Sequence, residues 1–413
     1  MPVRLLVMIA GYVAVCVAVF KFWPQADGDV VVATQKITPA PVSQPVAQPV
    51  DQVQPAQPSR PVEPKAKPVV AQPVTPAPVA KPEPQVAAVA PSQPRVVDDG
   101  PSNVTSQERL ISSADRMALL EVWTIIEECR LDRCETMNLS SVGLAFVPDE
   151  IKDLRRLSTL IVGEKVSDIQ ALSGMRNIRT LNLNGSQVDS IAPVSNLTGL
   201  KFLEIANSKA SDIAPLANLG ALEHVDFSGT DVANIAPLAD LVNLSYLDAS
   251  NSNVYDLTPF GTMFELQEIL LNDTKILDLS YLSRLDKLRR LEVARTEIVT
   301  LPDLSTNLDM EFLDISGTQI SDLTPIRRLE NLEVLKIAGT KVRNLDKISG
   351  LRYLRELDLS NTQLDSLDPL RDLASLELVY ISAVPPNSIE ILAELRGRGV
   401  NIEQGQVSGG EFQ

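Results

Sequence analysis

Histidine is almost missing from this sequence: the 413 residues contain one, His224. Cysteine is nearly as scarce, with Cys16, Cys129 and Cys134 making three. These counts exclude multi-histidine metal centres, four-cysteine zinc sites and disulfide-framework folds. They also take away the usual general base of triad chemistry. No P-loop, H-E-x-x-H, G-x-S-x-G or dinucleotide fingerprint occurs. No catalytic, cofactor-binding or metal-binding residue is therefore expected. Aromatic residues make up only 4%, so leucine, isoleucine and valine must build the core. Positive charge is short as well, with 37 basic against 53 acidic residues and a net charge of −16. Such a chain is a poor nucleic-acid binder, because neutralising phosphates needs a basic face.

What is present falls into three regions. Residues 1–23 hold an uncharged run over 5–20, bracketed by Arg4 and Lys21 and followed by Phe22 and Trp23. An aromatic pair at that place suits a membrane interface. The run predicts a transmembrane anchor. A cleaved signal sequence is the alternative, although Trp23-Pro24-Gln25 makes a poor cleavage site. Residues 24–105 hold eighteen of the 29 prolines and no aromatic residue. Composition of this kind buries too little to offset its ordering entropy, so a disordered Pro/Val/Gln/Ala-rich linker is expected, acting as a tether. Residues 106–413 carry 29 basic and 46 acidic residues, a net −17 that accounts for the charge of the whole chain.

The third region repeats. Leu181, Leu203, Val225, Leu247, Ile269, Leu291, Leu313, Leu335, Leu357 and Val379 follow one another at 22-residue intervals. Apolar residues recur two positions later, from Leu183 and Ile205 to Leu359 and Ile381. A third column stands three positions before the first, from Ile178 and Leu200 to Leu354 and Leu376. Alternation at Leu181 and Leu183 reads as a short half-buried strand. One such unit cannot bury its apolar side alone, so neighbours must stack and share a core.

The pattern resembles the leucine-rich repeat, in the 22-residue form L-x-x-L-x-L-x-x-N-x-I found in internalin-like bacterial proteins. It covers residues 135–385 in about twelve turns, the first two beginning at Met137 and Leu160. The resemblance implies an α/β solenoid, a right-handed horseshoe or arc with a parallel concave sheet. A helical cap is expected over 106–134, opened by a capping box at 105–108. A C-terminal cap and tail are expected over 386–413. Where the family has asparagine, this chain has Ser186, Ser208, Thr230, Ser252, Thr274, Thr296, Thr318, Thr340 and Thr362. These hydroxyls are expected to bond backbone groups of adjacent turns. Proline in Ala214-Pro215 and Thr258-Pro259 is expected to open a short helical turn capped by the residue before it. Cys129 and Cys134, between the cap helix and the first strand, form a candidate disulfide.

The resemblance also implies which residues line the concave face. Those between the strand leucines include Glu204, Asp226, Asp248, Glu292, Asp314 and Asp358. The adjacent column adds Phe202, Tyr246 and Phe312. This acidic ladder with aromatic anchors suits a protein partner, probed best by basic side chains. A solvating role for the acids is the plainer alternative, and it makes Asp248 dispensable for folding. The expected function is a non-enzymatic recognition module on a membrane tether, monomeric, with its repeats in the periplasm beside the bacterial inner membrane. Two alternatives stand: a cell-envelope structural protein binding peptidoglycan or another glycan, and a secreted adhesin or effector.

Overall fold

The computed structural model describes residues 113–404. The apolar run at 1–23, the Pro-rich segment at 24–105, the capping box at 105–108 and residues 405–413 lie outside the described residues.

Thirteen short strands form one sheet in sequence order. They are β1 (Thr136–Asn138), β2 (Thr159–Ile161), β3 (Thr180–Asn182), β4 (Phe202–Glu204), β5 (His224–Asp226), β6 (Tyr246–Asp248), β7 (Glu268–Leu270), β8 (Arg290–Glu292), β9 (Phe312–Asp314), β10 (Val334–Lys336), β11 (Glu356–Asp358), β12 (Leu378–Ile381) and β13 (Asn401–Gln404). Every neighbouring pair is parallel, and Leu247 of β6 sits in register with Ile269 of β7. From β2 to β11 the central residue of each strand is buried and its two neighbours are half-buried. That is the pattern of a strand with one face on a core and one face open.

The core is one continuous column of leucine, isoleucine and valine running from α1 (Ser113–Asp132) to α2 (Ile389–Gly397). Each fully buried leucine contributes about 1.5–3 kcal/mol relative to exposure, which single turns cannot collect without neighbours. Helix α1 lays Ala118, Val122, Ile126 and Cys129 against the first turn. At its end Cys129 is disulfide-bonded to Cys134, with the two Cα atoms 4.8 Å apart. After α2 the chain adds β13 alongside β12, so the closing element ends in a further strand.

Across from the sheet the turns close through short 3-10 segments, as at Ala214–Leu216, Thr258–Thr262 and Thr324–Ile326, except between β8 and β9. Their caps differ from the expectation. The amide of Thr258 donates to Asp256 at 2.9 Å, and that of Thr324 donates to Asp322 at 2.8 Å. The capping group thus lies three residues before the proline rather than one. The hydroxyl ladder also differs. Thr230 donates to the Phe227 carbonyl at 2.6 Å, Thr274 to Leu271 at 2.6 Å and Thr318 to Ile315 at 2.7 Å. Each bond stays within its own turn. At this position the carbonyl three residues back is within reach, so the hydroxyl closes the local bend.

Among the described residues, no helix is long and apolar enough to cross a membrane. Helix α1 is the longest, and it carries Arg116, Glu121, Glu127, Glu128 and Arg130 along its length. The expected single-pass inner-membrane topology, membrane tether and membrane partner are corrected on this finding.

Candidate functional site

Strand geometry places the two expected columns side by side on the open face. Residues that start each strand form one column: Phe202, His224, Tyr246, Glu268, Arg290, Phe312, Val334 and Glu356. Residues that end each strand form the other: Glu204, Asp226, Asp248, Leu270, Glu292, Asp314, Lys336 and Asp358. Parallel register keeps each column in line, as with Phe202, His224 and Tyr246 across β4, β5 and β6.

These three rings stack along the sheet. His224 and Tyr246 lie nearly parallel, with ring centroids 4.1 Å apart and an interplanar angle of 5°. Phe202 and His224 are tilted, with centroids 5.8 Å apart. Burial against these neighbours pushes the His224 pKa down, and nearby Asp226 restores only part of the shift. Burial, followed by the charges of Asp248, Asp226 and Glu268, drives the Tyr246 hydroxyl well above the ordinary tyrosine range.

The acids beside the rings are partly structural. Asp226 accepts the Ser228 amide at 2.8 Å, and Asp248 accepts the Ser250 amide at 2.8 Å. Asp314 and Asp358 do the same for Ser316 and Ser360, each at 2.9 Å. Aspartate ends these strands because its short carboxylate reaches the amide two residues on. Glutamate is too long for that bond, and a second device replaces it. Asn184 accepts the Ala206 amide at 2.7 Å and donates to Glu204 at 2.9 Å. Asn272 accepts the Ala294 amide at 2.8 Å and donates to Glu292 at 2.7 Å. Burial raises the Glu204 pKa first, and the Asp226 charge raises it further. Burial also raises that of Asp248, against hydrogen bonds from Ser250.

Structural comparison completes the picture. No family model matches the chain, and no curated protein matches it by sequence. An internalin from Listeria monocytogenes superposes with a TM-score of 0.61 and 20% identity, over 72% of this chain and 98% of that one. A Leptospira interrogans leucine-rich-repeat protein gives 0.52 and 20% identity, over 67% of this chain and 86% of that one. A plant peptide hormone receptor in complex with RGF2 gives 0.53 and 16% identity, over 66% of this chain and 51% of that one. The chain is a leucine-rich-repeat solenoid. At these identities the likeness is one of fold, and this chain spans about half of the receptor.

Within the solenoid the expected site residues separate into two groups. Phe202, Glu204, Asp226, Tyr246 and Asp248 share β4–β6. Glu292, Phe312, Asp314 and Asp358 belong to β8–β11, beyond an interruption by Leu270. At a strand spacing of about 4.8 Å, Asp358 stands about 24 Å from Asp248. The second group has two bases among its acids. Arg290 donates to Glu292 through Nε at 2.8 Å, and its guanidinium carbon lies 4.0 Å from the Phe312 ring centroid. Lys336 is in register between Asp314 and Asp358, 4.0 Å from Glu356 and 5.2 Å from the Phe312 centroid. Among the described residues, no lysine or arginine pairs with Glu204, Asp226 or Asp248. Nor do Asp314 and Asp358 make an ion pair among the described residues, but Lys336 stands between them, so the acidic ladder is offset by bases only in its second half.

The sequence gives His224 no role, and the structure sets it between the Phe202 and Tyr246 rings. The asparagines that hold the glutamates were missed as well. Their signal is legible in hindsight: Asn184 precedes Glu204 and Ala206, and Asn272 precedes Glu292 and Ala294, at identical spacing. The site supplies hydrogen-bond acceptors, aromatic faces and negative potential. Its one imidazole is engaged in the stack.

The pH response follows from these shifts. A lowered histidine pKa means that the unfolded chain takes up its proton first. Stability from His224 is present above about pH 6.5 and is lost as pH falls through the unfolded value. Glu204 and Asp248 act in the opposite sense. Their raised values favour the folded state at low pH, and that contribution is lost as pH rises through them. Because His224 is the single histidine, its NMR titration is unambiguous. We expect a midpoint below about 6.5. A midpoint above it would place His224 in an ion pair instead of an aromatic stack.

Proposed function

We propose that the chain is a non-enzymatic recognition module that binds a protein partner through its concave face. The observation that carries this reading is the uncompensated set Glu204, Asp226 and Asp248 beside the Phe202–His224–Tyr246 stack. Aromatic residues flanked by charge are the usual anchors of protein interfaces. Negative potential spread over an open face also speeds encounter with basic partners and discriminates against acidic ones. The plant receptor of like fold, solved in complex with RGF2, supports a polypeptide ligand.

The reading is tested by capture from an extract of the cells that make the protein. One bait is the full chain. The other carries Glu204→Gln, Asp226→Asn, Asp248→Asn, Asp314→Asn and Asp358→Asn. Asparagine keeps the oxygen that accepts the amide two residues on, so charge is removed without removing the cap. A partner held by the first bait and lost by the second supports the concave face. An identical catch on both assigns those carboxylates to solvation and strand closure.

A further inference from the structure

The two halves of the concave sheet use the same chemistry and complete it differently. In β8–β9 a guanidinium lies on an aromatic ring and bonds a carboxylate, through Arg290, Phe312 and Glu292. In β4–β6 the ring and the carboxylates are present, and the chain supplies no arginine or lysine to them among the described residues. His224 covers one face of the Tyr246 ring at 4.1 Å. The other face of Tyr246 is turned along the sheet toward β7, whose Glu268 is its register partner. Asp248 ends the same strand as Tyr246.

Ser250 borders the same spot: it is 7% exposed and faces the Asp248 carboxylate, which accepts the Ser250 amide at 2.8 Å. This stretch of sheet offers an aromatic face and two carboxylates, Asp248 and Glu268, on two adjacent strands.

Resting on the concave-face reading, we propose that the β4–β7 surface recognises an arginine side chain of the partner, its guanidinium stacked on the Tyr246 ring face turned away from His224 and paired with Asp248 and Glu268. Arginine fits better than lysine for two physical reasons. Its planar guanidinium stacks on a ring and is weakly hydrated, whereas an ammonium is compact and strongly hydrated. Its fork of donors also reaches two carboxylates at once, which a point charge cannot do with fixed geometry. The chain's own Arg290 has this same pair of contacts on Phe312 and Glu292.

The test uses the full chain and reads the ring resonances of His224, the single histidine. Three probes are titrated: acetyl-Gly-Arg-Gly-amide and its lysine and citrulline counterparts. Citrulline keeps the shape of arginine and lacks its charge. The acidic surface elsewhere attracts both cations, and the His224 signal separates this spot from that background. The arginine probe is expected to shift His224 saturably, with lysine binding at least about tenfold more weakly and citrulline producing no shift. Asp248→Asn, which keeps the strand-end bond, should weaken the arginine probe by about tenfold. Equal shifts from arginine and lysine, an equal shift from citrulline, or no shift from arginine would each overturn the proposal. If the arginine probe fails while capture still depends on the concave acids, the wider reading survives alone. If the probe binds while capture ignores those acids, the arginine site stands without the partner surface.

Discussion

Leu247→Ala is expected to lower the unfolding free energy by about 2–5 kcal/mol. Leu247 is 0% exposed, and its β6 backbone is paired with β5 on one side and β7 on the other. Truncation leaves a cavity that neither neighbour can fill, because both are held by their own register. Asp248, the next residue, separates packing from capping. Sequence reasoning made it dispensable for folding. The bond from the Ser250 amide changes that expectation, and Asp248→Ala should cost about 1 kcal/mol. Asp248→Asn should cost close to nothing, since the acceptor oxygen remains. Chemical denaturation of the three variants, compared at constant slope, gives the ranking. Equal losses for Leu247→Ala and Asp248→Ala would reverse the assignment of inner and outer columns.

Asn307 is expected to respond in opposite directions to two small changes. It is 0% exposed and stands in a leucine column, between Leu285 and Leu329. Its Nδ2 donates to the Leu285 carbonyl at 2.6 Å, while its Oδ1 has no partner. Asn307→Asp removes the donor and places a carboxylate where no water or cation reaches it. The expected loss is about 3–5 kcal/mol, enough to unfold the local turns. Asn307→Leu restores the column, and the Leu285 carbonyl keeps its bond from the Leu288 amide at 3.0 Å. A gain of about 1 kcal/mol is expected, because the unpaired oxygen is gone. Melting curves of both variants beside the parent check the pair. A loss from Asn307→Leu would mean that this turn is shaped around the smaller amide.

Much of the fold was legible because periodicity is a global signal. Ten aligned apolar positions from Leu181 to Val379 leave the strand register almost no freedom, and Leu203 does sit opposite Val225. The Cys129–Cys134 pair was within reach for a local reason, since the two cysteines stand only five positions apart. The details that escaped all depend on side-chain reach. Threonine at 230 and asparagine at 184 both satisfy backbone groups, one within its turn and one across to the next. Composition alone does not distinguish those reaches. Likewise the acidic ladder looked uniform in sequence. Its division appears only when parallel register brings Arg290 beside Phe312 and sets Lys336 between Asp314 and Asp358. The membrane expectation came from residues 1–23, and no helix among the described residues bears it out.

On this reading the first half of the concave face recognises the partner, and the second half contributes less because Arg290 and Lys336 offset part of its acidic charge. Two full-length baits test it most directly. One carries Glu204→Gln, Asp226→Asn and Asp248→Asn. The other carries Asp314→Asn and Asp358→Asn. Partner capture should fall at least about tenfold with the first bait, equivalent to about 1.4 kcal/mol, and stay near the parent level with the second. Loss confined to the second bait, or full capture by both, would contradict the account.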